Sequence, residues 1–133
     1  MKSLILLYFT VQIIMIVVTG LTDNPARRPD ANEHTLSFQK DIFPIIEEHC
    51  LPCHLREERN LSRLFMDNYE LLMKGGFNGP PIKPGNADGS LLIKKIGPDP
   101  PFGERMPMGG GEHLTDETIE LITTWIDQGA KNN

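Results

Sequence analysis

The chain contains few of the residues on which several functional classes depend. Its 133 residues include only two cysteines and four histidines. Two cysteines cannot build a disulfide framework, and with scattered histidines they do not match the ligand spacing of a closed zinc site. Acidic residues outnumber lysine and arginine by 18 to 13, which gives a formal net charge of −5. That balance argues against a nucleic-acid partner and against attraction to an anionic membrane.

Aromatic residues are also scarce, at 7% of the chain. No segment shows the alternation of apolar and polar residues that is typical of a strand, and no repeat or low-complexity tract is visible. The length allows one domain with one modest core. We therefore expect an all-α domain, and a core so poor in aromatic rings gains from a large apolar cofactor that fills its centre.

The N-terminal segment has the pattern of an export signal. Lys2 precedes an apolar run over residues 4–18, and Thr19 and Gly20 follow it. This order predicts a signal peptide over residues 1–20. The alternative is an uncleaved signal anchor, because the apolar segment reaches the lower limit for spanning a bilayer. Either interpretation puts the rest of the chain in the periplasm or another extracytoplasmic space, and the second attaches it to the inner membrane.

The remaining chain divides into two parts. Residues 21–34 are polar and contain prolines and arginines, which predicts a flexible linker. Residues 35–131 carry the helix signals and are predicted to form one domain. We expect its first and last helices to cross, with two shorter helices and long loops between them.

The first helix is predicted over residues 37–50. Its apolar residues, Phe38 and Ile46 among them, recur at the spacing of one helical stripe. Pro44 is disfavoured inside a helix, so the helix is expected to begin or kink near Phe43.

The last helix is predicted to begin after Thr115, a good N-cap residue, and to end at Gly129. Its apolar stripe includes Trp125. Because the first and last helices are expected to cross, we predict that Phe43 or Ile46 packs against Trp125.

Two shorter helices are expected between them. Asp67 is predicted to cap a helix over residues 68–74, which two glycines end. Asn86 or Asp88 is predicted to cap the next helix, which stops at Gly97.

The most informative motif is the Cys-Leu-Pro-Cys-His run at residues 50–54. This spacing is typical of c-type haem attachment. Cys50 and Cys53 lie about one helical turn apart, so both thiols can form thioether links to the two vinyl groups of a haem. His54 lies four residues after Cys50 on the same face, where its imidazole can be the proximal iron ligand. No second such motif is present, so the prediction is one covalent haem c.

The sixth iron ligand has several candidates. Met106 and Met108 lie in a loop rich in proline and glycine, which can hold a thioether over the open face of a haem. Met66 and Met73 have the spacing of core residues and are assigned to packing. The sixth position could also be open or hold a histidine. The histidines considered are His34 and His113.

Other chemistry is less consistent with the pattern. A thiol–disulfide oxidoreductase could use Cys50 and Cys53, but such motifs occur in a βαβ context and no strand is predicted. A haem-based sensor or peroxidase-like module with a labile sixth ligand differs from an electron carrier only at Met106 and Met108.

With these residues identified, the chain resembles the small class I c-type cytochromes, most closely the planctomycete-type cytochrome c domain. The resemblance runs over residues 38–130 and depends on the order of several short motifs. The matching motifs are Phe43-Pro44-Ile45, the haem motif, Asp67-Asn68-Tyr69-Glu70, Lys74-Gly75-Gly76, Pro84-Gly85-Asn86, Ser90-Leu91-Leu92, Arg105-Met106-Pro107, Trp125-Ile126 and Gly129-Ala130.

The resemblance implies a class I cytochrome c fold around one haem c that is bound covalently through Cys50 and Cys53. It implies His54 as the proximal iron ligand and Met106 as the distal one, with Met108 as the alternative. The expected protein is an electron carrier and not an enzyme. It is expected to be a monomer that meets redox partner proteins, binds no nucleic acid and touches a membrane only through an uncleaved N-terminal segment.

The chain departs from the family pattern at two places. Met108 stands where the family has a second proline after the ligand methionine. Asn60-Leu61 stands where the family has glycine-leucine, and asparagine tolerates the same left-handed backbone. The resemblance also implies that the carbonyl of Pro80 or Pro81 accepts the imidazole N–H of His54.

Charged residues supply two further hypotheses. Lys94, Lys95 and Arg105 are candidates for contacts with the haem propionates, and the alternative, which we favour for each, is a solvated surface position. The acidic surface would dock on a basic redox partner, which predicts that electron-transfer rates fall steeply as the salt concentration rises.

Overall fold

A computed structural model describes residues 34–109 and 112–133. The predicted signal segment and all of the predicted linker except its last residue lie outside the described residues. None of the helices in the described ranges is both long enough and apolar enough to cross a membrane.

The described residues form helices joined by long loops. A π-helical turn runs over Phe38–Ile42 and is followed by five α-helices. These are α1 (Phe43–His49), α2 (Leu51–His54), α3 (Tyr69–Lys74), α4 (Leu91–Ile96) and α5 (Asp116–Asp127). Within the described ranges there is no strand, and Gly76 and Gly79 form an isolated bridge. The predicted all-α class is confirmed.

The first helical segment changes its geometry where the sequence predicts a break. Ser37 begins it, and its hydroxyl accepts the N–H of Lys40 at 3.3 Å. The π-helical turn ends at Ile42, and α1 starts at Phe43 with Pro44 in its first turn. A proline there loses no helical hydrogen bond, because the first N–H groups of a helix have no partner within it.

The caps of α3 and α4 differ from the prediction. Asn68, not Asp67, caps α3, and its side-chain oxygen accepts the N–H of Leu71 at 2.9 Å. The Asp67 carboxylate instead accepts the N–H of Arg56 at 3.1 Å. Ser90 is the N-cap residue of α4, so the predicted Asn86 and Asp88 caps are wrong. Asn68 has the same capping ability as Asp67. The Ser90 hydroxyl makes no cap bond and instead accepts the N–H of Lys83 at 2.8 Å.

The N-cap of the last helix is the predicted one. The Thr115 hydroxyl accepts the N–H of Thr118 at 3.2 Å. At the other end Gln128 is the C-cap residue, and Gly129 follows it with φ of 99°, a left-handed conformation that favours glycine. The prediction that Gly129 ends α5 is therefore off by one residue.

The core is centred on Phe38, which is fully buried. Its ring centroid lies 5.6 Å from that of Trp125 and 5.2 Å, edge to face, from that of Tyr69. The first and last helical segments thus meet as predicted, but the aromatic partner of Trp125 is Phe38 and not Phe43. The Tyr69 hydroxyl donates to the carbonyl of Ala130 at 2.8 Å, which ties α3 to the chain that follows α5.

The left-handed backbone expected at Asn60 lies instead at Arg63. Arg63 has φ of 51°, and its guanidinium lies 5.2 Å from the ring centroid of Phe77. A non-glycine residue in this conformation costs roughly 1–2 kcal/mol. The arginine therefore stores local strain that its contact with Phe77 offsets in part.

Candidate cofactor site

The candidate site is a cavity of about 550 Å³. That volume lies in the usual range, roughly 300–1,000 Å³, of small-molecule and cofactor sites. Apolar side chains, including Leu64, Leu92 and Ile96, make up much of its wall. The wall comes from five stretches of chain. These are residues 49–54, 59–66, 76–81, 91–96 and 102–108, with Leu114 added.

All five sequence-predicted site residues line this one cavity. They are Cys50, Cys53, His54, Met106 and Met108. More than fifty residues of chain separate the first from the last, so their meeting is a property of the fold. Met66 also lines the cavity and is buried, whereas His34, Met73 and His113 do not contribute to the wall.

Helical geometry brings the haem motif together. The N–H of Cys50 donates to the Ile46 carbonyl at 2.8 Å, and the N–H of His54 donates to the Cys50 carbonyl at 2.9 Å. The chain therefore passes from α1 into α2 with Cys50 between them, and Cys50 and His54 lie on one face. Cys53 is exposed, while Cys50 is half-buried. One thiol is accessible from solvent and the other is set deeper in the wall.

The Cys50 thiol is less acidic than an ordinary cysteine thiol. Burial raises the pKa of the Cys50 thiol from 9.0 to about 11, and the neighbouring Cys53 adds to the rise. A thiol with so high a pKa stays protonated at neutral pH. A thiolate nucleophile for disulfide exchange needs the opposite shift, since reactive cysteines have lowered pKa values.

One hydrogen bond fixes the His54 imidazole. Its Nδ1 lies 2.8 Å from the carbonyl oxygen of Leu64. A carbonyl can only accept, so Nδ1 carries the proton and Nε2 keeps its lone pair for a metal. The acceptor expected from the family resemblance was Pro80 or Pro81, and that expectation is wrong. The Pro81 carbonyl accepts the N–H of Leu92 at 2.9 Å.

Asn60 belongs to the site although the sequence did not single it out for a side-chain role. Its side-chain oxygen accepts the N–H and the hydroxyl of Ser62, at 3.0 and 2.6 Å. Its side-chain nitrogen donates to the same Leu64 carbonyl that His54 uses. When an asparagine side chain accepts the N–H of the residue two positions later, the chain forms an Asx turn. The Asn-Leu-Ser sequence at residues 60–62 is the signal that could have predicted this turn.

The two candidate methionines differ in packing. Met106 is half-buried against the core, and its N–H donates to the Lys95 carbonyl at 2.8 Å. Met108 is 56% exposed. Both side chains line the cavity, but the wall holds Met106 more firmly.

Lys95 and Arg105 hold the methionine loop in place. The Lys95 ammonium, on a residue only 9% exposed, donates to the carbonyls of Phe102 and Glu104, each at 2.6 Å. The Arg105 guanidinium donates to the Ile96 carbonyl at 2.7 Å. Lys95 lines the cavity, whereas Lys94 does not. Two of the three candidates for propionate contacts are thus bonded to backbone carbonyls: Lys95 to two carbonyls of the loop, and Arg105 to that of Ile96 in α4.

Charge at the cavity differs from that of the whole chain. Arg59 and Lys95 line it and Glu104 is its only carboxylate residue among the described residues, although the chain carries a net charge of −5. Leu61, Phe102 and Met108 also line the cavity and are exposed. The opening of the cavity is therefore mainly apolar, with a small cationic excess.

The chemistry of the wall fits a haem. Two thiols, an imidazole with a free Nε2 and thioethers are the donor types of a covalent haem c site, and the apolar wall suits a porphyrin. Gly75, with φ of 77°, makes a tight turn just before the wall stretch 76–81, and a Cβ there would overlap the carbonyl of Gly79.

Comparison with known proteins supplies no further assignment. No family model, no curated protein and no solved structure matches this chain.

Proposed function

We propose that this chain is an exported c-type cytochrome with one covalent haem, which carries electrons between redox partner proteins outside the cytoplasm. The observation that carries the proposal is the single cavity that Cys50, Cys53, His54 and Met106 all line. The class I cytochrome c fold is part of the proposal and is supported by the all-α architecture with long loops.

Each residue has a defined task in this proposal. Cys50 and Cys53 would hold the haem through thioethers, and His54 would bind the iron through Nε2. Bound haem supplies the one-electron Fe(III)/Fe(II) couple. Met106 would be the distal ligand, because its side chain is packed against the core, with Met108 as the alternative. A soft thioether ligand favours Fe(II), so the reduction potential would be raised.

Two alternatives predict different behaviour. Thiol–disulfide exchange is disfavoured by the raised pKa of Cys50. A sensor or peroxidase-like module needs a sixth position that ligands can enter. The half-buried Met106, whose loop is held by Lys95, favours a fixed ligand and therefore an electron carrier.

The first test is spectroscopic. The chain is exported in a host that matures c-type cytochromes, and visible spectra are recorded before and after reduction. A reduced c-type α-band with a ferric methionine-to-iron charge-transfer band is the expected result. A c-type spectrum without that band favours the sensor or peroxidase-like module, and protein without covalent haem contradicts the proposal.

A second test concerns the partner. The exposed apolar residues of the cavity wall, Leu61, Phe102 and Met108, favour a contact made mainly by apolar surface. Electron-transfer rates should then depend only weakly on salt, since apolar contacts are not screened. A steep fall with rising salt would instead favour docking of the acidic surface on a basic partner.

A further inference from the structure

Two hydrogen-bond donors converge on one backbone carbonyl beside the cavity. His54 Nδ1 lies 2.8 Å from the Leu64 oxygen, and the side-chain nitrogen of Asn60 donates to the same oxygen. The two nitrogens are 3.0 Å apart. Since both carry protons directed at the carbonyl, they share one acceptor and do not bond to each other.

The orientation of the Asn60 amide is fixed by its neighbours. Its oxygen accepts from the N–H and the hydroxyl of Ser62, at 3.0 and 2.6 Å, so its nitrogen must face Leu64. The Ser62 hydroxyl also accepts the N–H of Leu64 at 3.2 Å. Asn60, Ser62 and Leu64 therefore form one hydrogen-bonded turn. This turn fixes the position of the Leu64 carbonyl and its strength as a hydrogen-bond acceptor.

We propose that Asn60 is a positioning residue that weakens the hydrogen bond from His54 to Leu64 and so raises the reduction potential. The inference rests on the proposed function, since the potential belongs to a haem bound by His54. A carbonyl that already accepts from an amide offers less electron density to a second donor. A weaker bond at Nδ1 leaves the imidazole a poorer electron donor through Nε2, because outer hydrogen bonds raise the basicity of a ligating histidine. A poorer donor favours Fe(II).

The test compares reduction potentials of the haem-loaded protein and its Asn60→Ala variant. The variant frees the Leu64 carbonyl for His54 alone. We expect the Fe(III)/Fe(II) equilibrium to shift about tenfold towards Fe(III), which is about 59 mV for one electron. The Nδ1 proton resonance of His54 in the reduced protein should move downfield. Ser62→Ala removes one of the two hydrogen bonds that orient the Asn60 amide, while the N–H of residue 62 remains, and should give a smaller shift in the same direction.

Asn68→Ala is the matched control. It also removes an asparagine side chain that holds a loop, since Asn68 caps α3. The control should lose the stability that an N-cap supplies, without a change in potential. An unchanged potential in Asn60→Ala would overturn the inference. A raised potential would overturn it as well, because Asn60 would then strengthen the bond from His54.

Failure of the proposed function can be told apart from failure of the inference. If the chain takes up no haem, the proposed function fails. The hydrogen bond from His54 to Leu64 is nevertheless a feature of the chain without haem. The Nδ1 proton and nitrogen resonances of the unloaded chain, with neutral imidazole, therefore still decide whether Asn60→Ala strengthens that bond. No change there would overturn the inference.

Discussion

The described part of the molecule contains two regions that are filled in different ways. Around Phe38, aromatic rings pack on one another and close the core with protein alone. Around His54, the chain surrounds a cavity of about 550 Å³ with thiols, an imidazole and thioethers in its wall. The aromatic region should therefore set the stability of the fold, and the cavity region should set its chemistry.

The largest effect on stability is expected in the aromatic region. Phe38→Ala removes a fully buried ring that contacts Tyr69 and Trp125, and should lower the free energy of unfolding by about 3–5 kcal/mol. Phe77→Ala is the control, because Phe77 is 71% exposed and should cost only about 0.5–1 kcal/mol through its contact with Arg63. Denaturant unfolding of both variants measures the difference. Equal losses would contradict the assignment of Phe38 as the centre of the core.

The largest effect on chemistry is expected in the cavity region. Met106→Ala in the haem-loaded protein should shift the Fe(III)/Fe(II) equilibrium towards Fe(III) by on the order of 100-fold and let small ligands bind, because it removes the thioether. Potentiometry and ligand titration measure both changes. Met108→Ala is the matched comparison and should change little, since Met108 is largely exposed. If Met108→Ala has the larger effect, Met108 is the ligand. If neither does, the electron-carrier proposal loses its main support.

The pH dependence of the unloaded chain tests the wall of the cavity. Folding raises the pKa of Cys50 from 9.0 to about 11, so the folded chain binds that proton more tightly than the unfolded chain. Stability from this group is present below pH 9.0 and falls as the pH rises towards 11. At pH 8 alkylation should reach Cys53 first, because Cys53 is exposed and Cys50 has about 100-fold less thiolate than a thiol with a pKa of 9.0.

Mass spectrometry of the alkylated peptides measures the order of reaction. Cys53→Ala is a suitable control. It removes the smaller cause of the raised pKa of Cys50, the neighbouring Cys53, and leaves the larger cause, burial. Preferential alkylation of Cys50 would contradict the raised pKa. In the haem-loaded protein the alkaline loss of stability should disappear, because a thioether sulfur has no proton to lose.

The smallest effect is expected at Arg63, which is exposed and belongs to neither region. Arg63→Gly should relieve the left-handed backbone but lose the contact with Phe77, for a net gain of about 0.5–1 kcal/mol. Arg63→Lys keeps the strain and should give no gain. Thermal unfolding of the two variants measures the difference. A loss of stability in Arg63→Gly would mean that the arginine contact outweighs the strain.

The sequence determined the features that depend on residues close together in the chain. Cys50 and His54 lie on one helical face because four residues make about one turn. The π-helical turn gives way to α1 near Pro44 because the proline nitrogen has no hydrogen to donate to the preceding turn. Thr115 caps the last helix for an equally local reason, the reach of its hydroxyl to the N–H of Thr118. The cap error at Asp67 arose because the neighbouring Asn68 has the same capping ability. Asn86 and Asp88 were wrong because α4 begins after Ser90 without a side-chain cap bond.

Only the tertiary structure decided the features that depend on where loops meet. The carbonyl that holds His54 is that of Leu64 and not of a proline in the next loop, because the chain after the haem motif turns back over the imidazole. Met106 is packed and Met108 exposed because Lys95 and Arg105 tie their loop to α4. Every residue carries the same backbone carbonyl acceptor, so the sequence does not distinguish one from another. Only the fold decides which carbonyl faces a given side chain.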